Sequence, residues 1–333
     1  VVDVRTDNGN MKEYHGSFTL GLLEGRIQFE GPIIKDRTSF NVAMRRTWLD
    51  LFTAPAFAIM NTSRRDKQNV RYAFHDINAK VTHIFSEKSR ADISLYSGND
   101  LLKVNNKAYF YTSEPSNIDK FNLQWGNLTT SINWKYIFSH KLFANFTGVY
   151  THNRSKFDYL SEEKLISKEG SIIKTQNNHS TINDFGYRME FDYRPNTWNH
   201  IRFGSNYMHH IFMPQNFYSK YDNATNNELT FYAEDEISLS SRLKLNGGIH
   251  YTMFSIASTK YHLVEPRAAM NIKVCDNASF KISYTEMSQF MHQLSATYLN
   301  LPTDYWVPST ERIAPMRSRQ YSAGIYSRLP YNI

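Results

Sequence analysis

Over residues 184–194 every second position is apolar or aromatic (Phe185, Tyr187, Met189, Phe191, Tyr193), and the positions between are small or charged (Gly186, Arg188, Glu190, Asp192). Successive side chains of a β-strand point to opposite faces, so such a run specifies a strand held between two different environments. The alternation returns at Phe18, Leu20 and Leu22, at Ile27 and Phe29, and at Phe40, Val42 and Met44. It extends over 128–138, 142–150, 201–207, 229–239, 243–253, 268–274, 280–284 and 321–325. Several of these runs have the roughly nine to twelve residues of a tilted bilayer-spanning strand, longer than the usual soluble strand of about five to six.

Composition narrows the choice of the two environments. A chain that is 41% hydrophobic and 15% aromatic has ample material for a folded structure. Its mean hydropathy of -0.54 and the lack of an unbroken apolar run near 20 residues exclude a helical membrane protein. A β-barrel is compatible with both facts, because only alternate residues of its strands meet lipid. The net charge of +7 is dispersed along the chain, which argues against nucleic acid as a partner. It suits a basic lumen or rim facing anionic lipid or an acidic ligand. The single Cys275 has no partner for a disulfide or metal site and reads as a small wall residue. No signal-peptide pattern opens the chain at Val1-Val2-Asp3-Val4, which reads as processed or cut from something longer.

The connections supply the side-to-side asymmetry. Tight polar turns are expected at 35–37, 86–89, 139–141, 195–199, 240–242 and 276–278, alternating with long irregular loops at 49–69, 97–120, 153–180, 214–227 and 291–311. Short connections on one side and long ones on the other are the habit of outer-membrane barrels. Trp48 and Trp125 fall toward the long loops, and Phe138, Phe143, Tyr193 and Trp198 toward the tight turns, as aromatics do at the depth of lipid headgroups. The expectation is an all-β, antiparallel transmembrane β-barrel with roughly fourteen strands present.

Short motifs then point to a family. Val1-Val2-Asp3-Val4-Arg5-Thr6, Asn8-Gly9-Asn10 and Tyr14-His15-Gly16-Ser17 together resemble the end of the plug and start of the barrel in TonB-dependent outer-membrane receptors. Glu30-Gly31-Pro32-Ile33-Ile34-Lys35-Asp36 is similar to that family's first periplasmic turn, and Trp306-Val307-Pro308 with Glu311, Arg312 and Pro315 resembles a stretch before a mid-barrel strand. The resemblance implies residues 1–10 as the end of a plug or the plug–barrel junction, and 11–333 as a transmembrane β-barrel incomplete at its C-terminus. It implies a bacterial outer-membrane transporter, not an enzyme and without a cofactor, that takes up a scarce nutrient: an iron chelate, haem, cobalamin, a glycan or a peptide. Its partners would be outer-membrane lipid, the ligand, an inner-membrane TonB complex acting through a plug not present here, and, optionally, a surface lipoprotein. Family barrels have 22 strands, so the chain reads as a fragment. A passive outer-membrane diffusion channel and a soluble all-β binding protein are the alternatives.

Site residues are few. Arg45 and Arg46, just before Trp48, stand at an outer strand end; Arg45 shares the phase of Asn41 and Ala43 and either grips an anionic ligand or pairs with an acidic neighbour such as Glu30. His209-His210, with Met208 and Met213 nearby, offer haem or metal ligands, but adjacent strand residues face opposite ways and favour a plain rim pair. Arg188, Glu190 and Asp192 are expected to face the lumen as a charge ladder. Asp222, Asn223, Asn226 and Glu228 carry oxygen ligands without calcium-loop spacing and read as a solvated turn. No nucleophile–His–acid arrangement or phosphate-binding glycine loop appears.

Overall fold

The computed structural model describes residues 6–110, 114–164, 170–215, 224–294 and 305–327. The elements are β1 (His15–Leu20), β2 (Glu24–Ile34), β3 (Thr38–Thr47), α1 (Leu49–Ser63), β4 (Lys67–Ser86), β5 (Ser89–Ala108), β6 (Asn117–Ser139), β7 (Leu142–Lys164), β8 (Ser171–Tyr193), β9 (Asn199–Gln215), β10 (Ala224–Ser238), β11 (Leu243–Ile256), β12 (Thr259–Cys275), β13 (Ala278–Gln289), β14 (Met291–Leu294), β15 (Tyr305–Pro308) and β16 (Met316–Ser327). Fourteen strands form one antiparallel sheet in chain order from β1 to β13, followed by β16; β14 and β15 make a separate hairpin.

Two neighbouring rows across this sheet state its design. Ser39, Thr82, Asp92, Asn133, Thr147, Arg188, Asn206, Thr230 and Thr252 stand opposite one another on successive strands from β3 to β11, and all are polar. One residue along each strand, the other face carries Phe40, Val81, Ile93, Ile132, Gly148, Tyr187, Tyr207, Leu229 and Met253. A register slip by one residue on any strand would exchange the two faces, so the pattern fixes the pairing. The apolar face is uncovered: Val81, Ile93, Ile132 and Tyr187 are all exposed. Water cannot stabilise such a surface, and hydrocarbon can. Phe185 and Tyr193 are exposed on the same side, while Arg188, Glu190 and Asp192 line the opposite, enclosed side.

All six tight turns lie between strand ends where expected, at β2–β3, β4–β5, β6–β7, β8–β9, β10–β11 and β12–β13. In the first, Asp36 takes a left-handed φ of 60, a conformation a short polar side chain tolerates. The long connections differ from expectation. Much of 97–120 and 153–180 is strand, since β5 runs to Ala108, β6 starts at Asn117, β7 runs to Lys164 and β8 starts at Ser171. The backbone ladder continues through these extensions without hydrophobic alternation, as in strands that have water on both faces. Residues 49–63, expected to be loop, form α1, and 291–311 contains the β14–β15 hairpin. Trp125, placed by sequence at a strand end, sits in the middle of β6 opposite Asp100. Cys275 is exposed at the end of β12, beside a turn.

Residues from β4 and from β12 line one cavity, so the sheet curls until its distant strands face each other. No ladder joins β1 to β16 among the described residues. The wall is therefore a curled sheet with two edges rather than a closed barrel.

Candidate functional site

The enclosed face bounds a cavity of about 1240 Å³ whose lining is mostly polar and charged. Near its turn side, Glu190 Oε2 accepts a hydrogen bond from Asn145 Nδ2 at 2.8 Å, Asp192 Oδ2 lies 2.6 Å from His200 Nε2, and Arg202 Nε lies 2.7 Å from Glu234 Oε1. These are cross-strand contacts of opposite character, which hold neighbouring strands in register and leave a hydrated charged surface. Arg188 stands in the same row as Thr147 and Asn206.

Toward the long-connection side, Arg45 projects from β3 over the ring of Phe74, with its guanidinium carbon 4.8 Å from the ring centroid. Arg45 Nε donates to Asp76 Oδ2 at 2.9 Å, and Nη2 donates to the same oxygen. Glu24 Oε2 lies 3.8 Å away. Arg45 is thus paired, but with Asp76 and Glu24 rather than Glu30, because β3 sets Arg45 opposite Asp76 and Asn41 opposite Glu30. Tyr96 donates to Asp76 Oδ1 at 3.3 Å and Tyr72 to Asp100 Oδ1 at 2.9 Å. An arginine, three carboxylates and three aromatic rings therefore share one stretch of wall.

Arg46 and Trp48 do not join Arg45. Arg46 lies on the other face of β3, and its Nη2 is 3.1 Å from Asp50 Oδ2 at the start of α1. The Trp48 ring covers Gly25 of β2, where a Cβ would lie 2.1 Å from a ring carbon, so only glycine admits the indole there. The two histidines likewise separate. His210 lies in the inward phase of β9, nearly fully buried, with Nδ1 2.7 Å from Asp184 Oδ1. His209 faces outward, where its Nδ1 and the Tyr207 hydroxyl both meet Asn227 Oδ1, each at 2.8 Å. The strand geometry rules out a shared ligand for the pair. Asp222 and Asn223 lie outside the described residues, whereas Asn226 and Glu228 belong to β10 rather than a turn and share its inward phase, Glu228 lining the cavity and Asn226 fully buried.

Asp76, Asp100, Tyr72, Tyr96, Asp184, Arg202 and Glu234 were not singled out by sequence. All lie in the inward phase of their strands, which is the signal that was available.

The N-terminal segment enters this space. Lys80 Nζ donates to Thr6 O at 3.2 Å, Ser39 Oγ to Asn8 O at 2.7 Å, and the Asp36 amide of the first turn to Met11 O at 3.0 Å. Gly9, at φ 78, crosses so close to the Phe40 carbonyl that an added Cβ would lie 2.3 Å from its oxygen. Residues 6–11 therefore run along the inner face of β3–β4 down to the tight-turn rim, and Tyr14 then packs on the outer face over Gly31 with its hydroxyl donating to Pro32 O at 2.8 Å.

Comparison with known proteins gives one family model, described as TonB dependent receptor-like, beta-barrel, which matches residues 61–332. No protein in the curated set matches the chain by sequence. Among solved structures, the ferripyoverdine receptor of the Pseudomonas aeruginosa outer membrane is 9% identical with a TM-score of 0.64, covering 96% of this chain and 47% of that one. The ferric preacinetobactin receptor from Acinetobacter baumannii is 12% identical with a TM-score of 0.61, covering 92% and 50%. The FrpB iron transporter from Neisseria meningitidis is 14% identical, also with a TM-score of 0.61, covering 92% and 50%. At these identities the likeness is one of fold, and the chain spans about half the length of the structures it matches.

Proposed function

Because this chain belongs to the TonB-dependent receptor β-barrel family, whose members are outer-membrane proteins, we propose that it is barrel wall from a receptor that imports a scarce nutrient, foremost an iron chelate. The observation that carries the reading is the pair of adjacent rows, nine strands wide, one wholly polar and the other apolar or aromatic apart from Gly148. Such a wall separates hydrocarbon from an aqueous passage. The iron-chelate preference draws on the siderophore receptors and iron transporter whose fold it shares.

In this reading the ligand is met near the outer mouth, by Arg45 and the aromatic and acidic groups around it and by the His210–Asp184 pair, while Arg188, Glu190 and Asp192 form the hydrated lining deeper in. Arg46, Trp48 and His209, facing outward, stand aside from the passage. Residues 6–10 are the junction from plug to wall, and an inner-membrane TonB complex supplies the work by pulling on that plug. A surface lipoprotein would dock at the long-connection side.

The test is uptake of radioactive iron, supplied as a panel of ferric chelates, by an iron-starved host that lacks its own receptors and expresses the complete gene. Uptake of at least one chelate that disappears when TonB is removed supports the reading. Uptake of small solutes that is indifferent to TonB would make the protein a passive channel and overturn it.

A further inference from the structure

An arginine pair stands on each side of α1, Arg45-Arg46 before it and Arg64-Arg65 after it, and from Leu51 to Met60 the helix contains no charged residue. Its apolar side chains are uncovered: Leu51 is 59% exposed, Phe52 56% and Ile59 71%. A helix that is apolar all round requires cover, from a protein core or from lipid. Both of its ends are nevertheless held in place. Asp50, almost fully buried, receives Arg46 Nη2 at 3.1 Å and Arg71 Nη2 at 3.7 Å. At the other end Asn61 exchanges two hydrogen bonds with the backbone of Gln68, at 2.8 and 2.9 Å.

These ties fix the helix on the outer side of the wall, beside β4. Arg46 and Arg71 both lie in the outward phase of their strands, the phase of Val42, Met44 and Val81. Trp48, immediately before the helix, rests on the outer face of β2, and the exposed Leu22 and Leu23 lie close by. This is the level at which the outer face changes from apolar (Val42, Met44) to cationic (Arg46) along β3.

We propose that α1 is an interfacial anchor lying in the outer leaflet, with its apolar surface among acyl chains and Arg64 and Arg65 against the phosphate-bearing headgroups of anionic lipid. Two observations select lipid as the occupant. The helix continues a surface that already faces hydrocarbon, and the two arginines that follow it, Arg64 and Arg65, complement anionic headgroups in the manner of interfacial helices. The proposal rests on the membrane reading of the wall.

The test uses the full chain with Cys275→Ser, carrying one spin label at a time at Leu51→Cys, Ile59→Cys or, as a wall control, Val42→Cys. Collisions with oxygen, which enters lipid, and with a nickel chelate, which stays in water, are read in vesicles of phosphatidylcholine with and without phosphatidylglycerol. Oxygen should dominate at Leu51 and Ile59 as it does at Val42. Both sites should move deeper when phosphatidylglycerol is present, and the Arg64→Gln, Arg65→Gln double variant should abolish that shift. Nickel dominance at Leu51 and Ile59 with Val42 still lipid-exposed would place the helix in water and overturn the proposal alone. Exclusion of both reagents would mean a protein cover and overturn it equally. Equal depth in the two vesicle types would remove the role of the anionic headgroup, and nickel dominance at Val42 would sink the membrane wall itself.

Discussion

Ile93 and Ser94 are consecutive residues of β5, and the structure assigns them different solvents. Ile93 stands between Val81 and Ile132 on the outer face, and Ser94 lines the cavity with its hydroxyl 2.7 Å from that of Ser131. A strand rises about 3.3 Å per residue, and a tilt near 40° leaves ~2.5 Å of height for each. The 10 residues of β3 then span about 25 Å, the apolar height of an outer-membrane barrel. Ile93, four positions above Ser89, lies about 10 Å from the turn side, close to the midplane. Ile93→Arg should therefore destabilise the folded chain by about 2–4 kcal/mol, or roughly 30- to 1,000-fold in the unfolding equilibrium. Ser94→Arg gives up one hydroxyl hydrogen bond, about 1 kcal/mol, in a hydrated space where Asp92 offers a counter-charge. Reversible denaturant unfolding in thin lipid vesicles, followed by tryptophan fluorescence, measures both. A Ser94→Arg loss equal to or larger than that of Ile93→Arg would refute the assignment of the faces.

Three further outcomes are expected. Gly9→Ala, forced to hold φ 78 and meeting the Phe40 carbonyl, should cost about 1–2 kcal/mol locally and release residues 6–10 from Ser39 and Lys80, seen as faster exchange of the Asp36 amide that donates to Met11 O, with the β6–β8 wall unchanged. Asp76→Asn should cost about 1 kcal/mol, since Arg45 is half-exposed, but should loosen Arg45 from its place over Phe74; an anionic ferric chelate that binds through Arg45 would then bind measurably differently, and an unchanged affinity removes Arg45 from the ligand site. At the tips of the long hairpins, the hydrogen bond from Lys164 and its charge hold the Glu114 carboxyl below the usual glutamate range. A lowered acid pKa stabilises above the unfolded value and is lost as pH falls through the folded one, so protection of the Lys164 amide, taken relative to the intrinsic exchange rate at each pH, should fall on acidification below that range and should lose this dependence in Glu114→Gln.

The faces of the wall were legible because two solvents impose a period of two, and 185–193 shows it without a break. Turns were legible because charge clusters such as Lys35-Asp36-Arg37 interrupt that period. Strand length was not legible above the membrane: 153–164 and 171–180 pair fully, yet water on both sides leaves their composition mixed. The helix α1 escaped for the converse reason, since a segment apolar on every side has no period to detect. Arg45 could be placed on the inner face, but its partner Asp76, 31 residues away, follows only from the β3–β4 register.

The long hairpins have a consequence for how such a surface can diversify. β7 and β8 stay paired from Leu142 and Tyr193 to Lys164 and Ser171, 23 residues each against the 10 of β3. Matched insertions at their tips lengthen the ladder and leave every residue below in its original solvent. A lone extra residue lower down would turn the lipid-facing and water-facing sets inside out. Variation is thus free at the summit and forbidden at the base, so the outermost surface can drift in shape while the span through the bilayer stays constant.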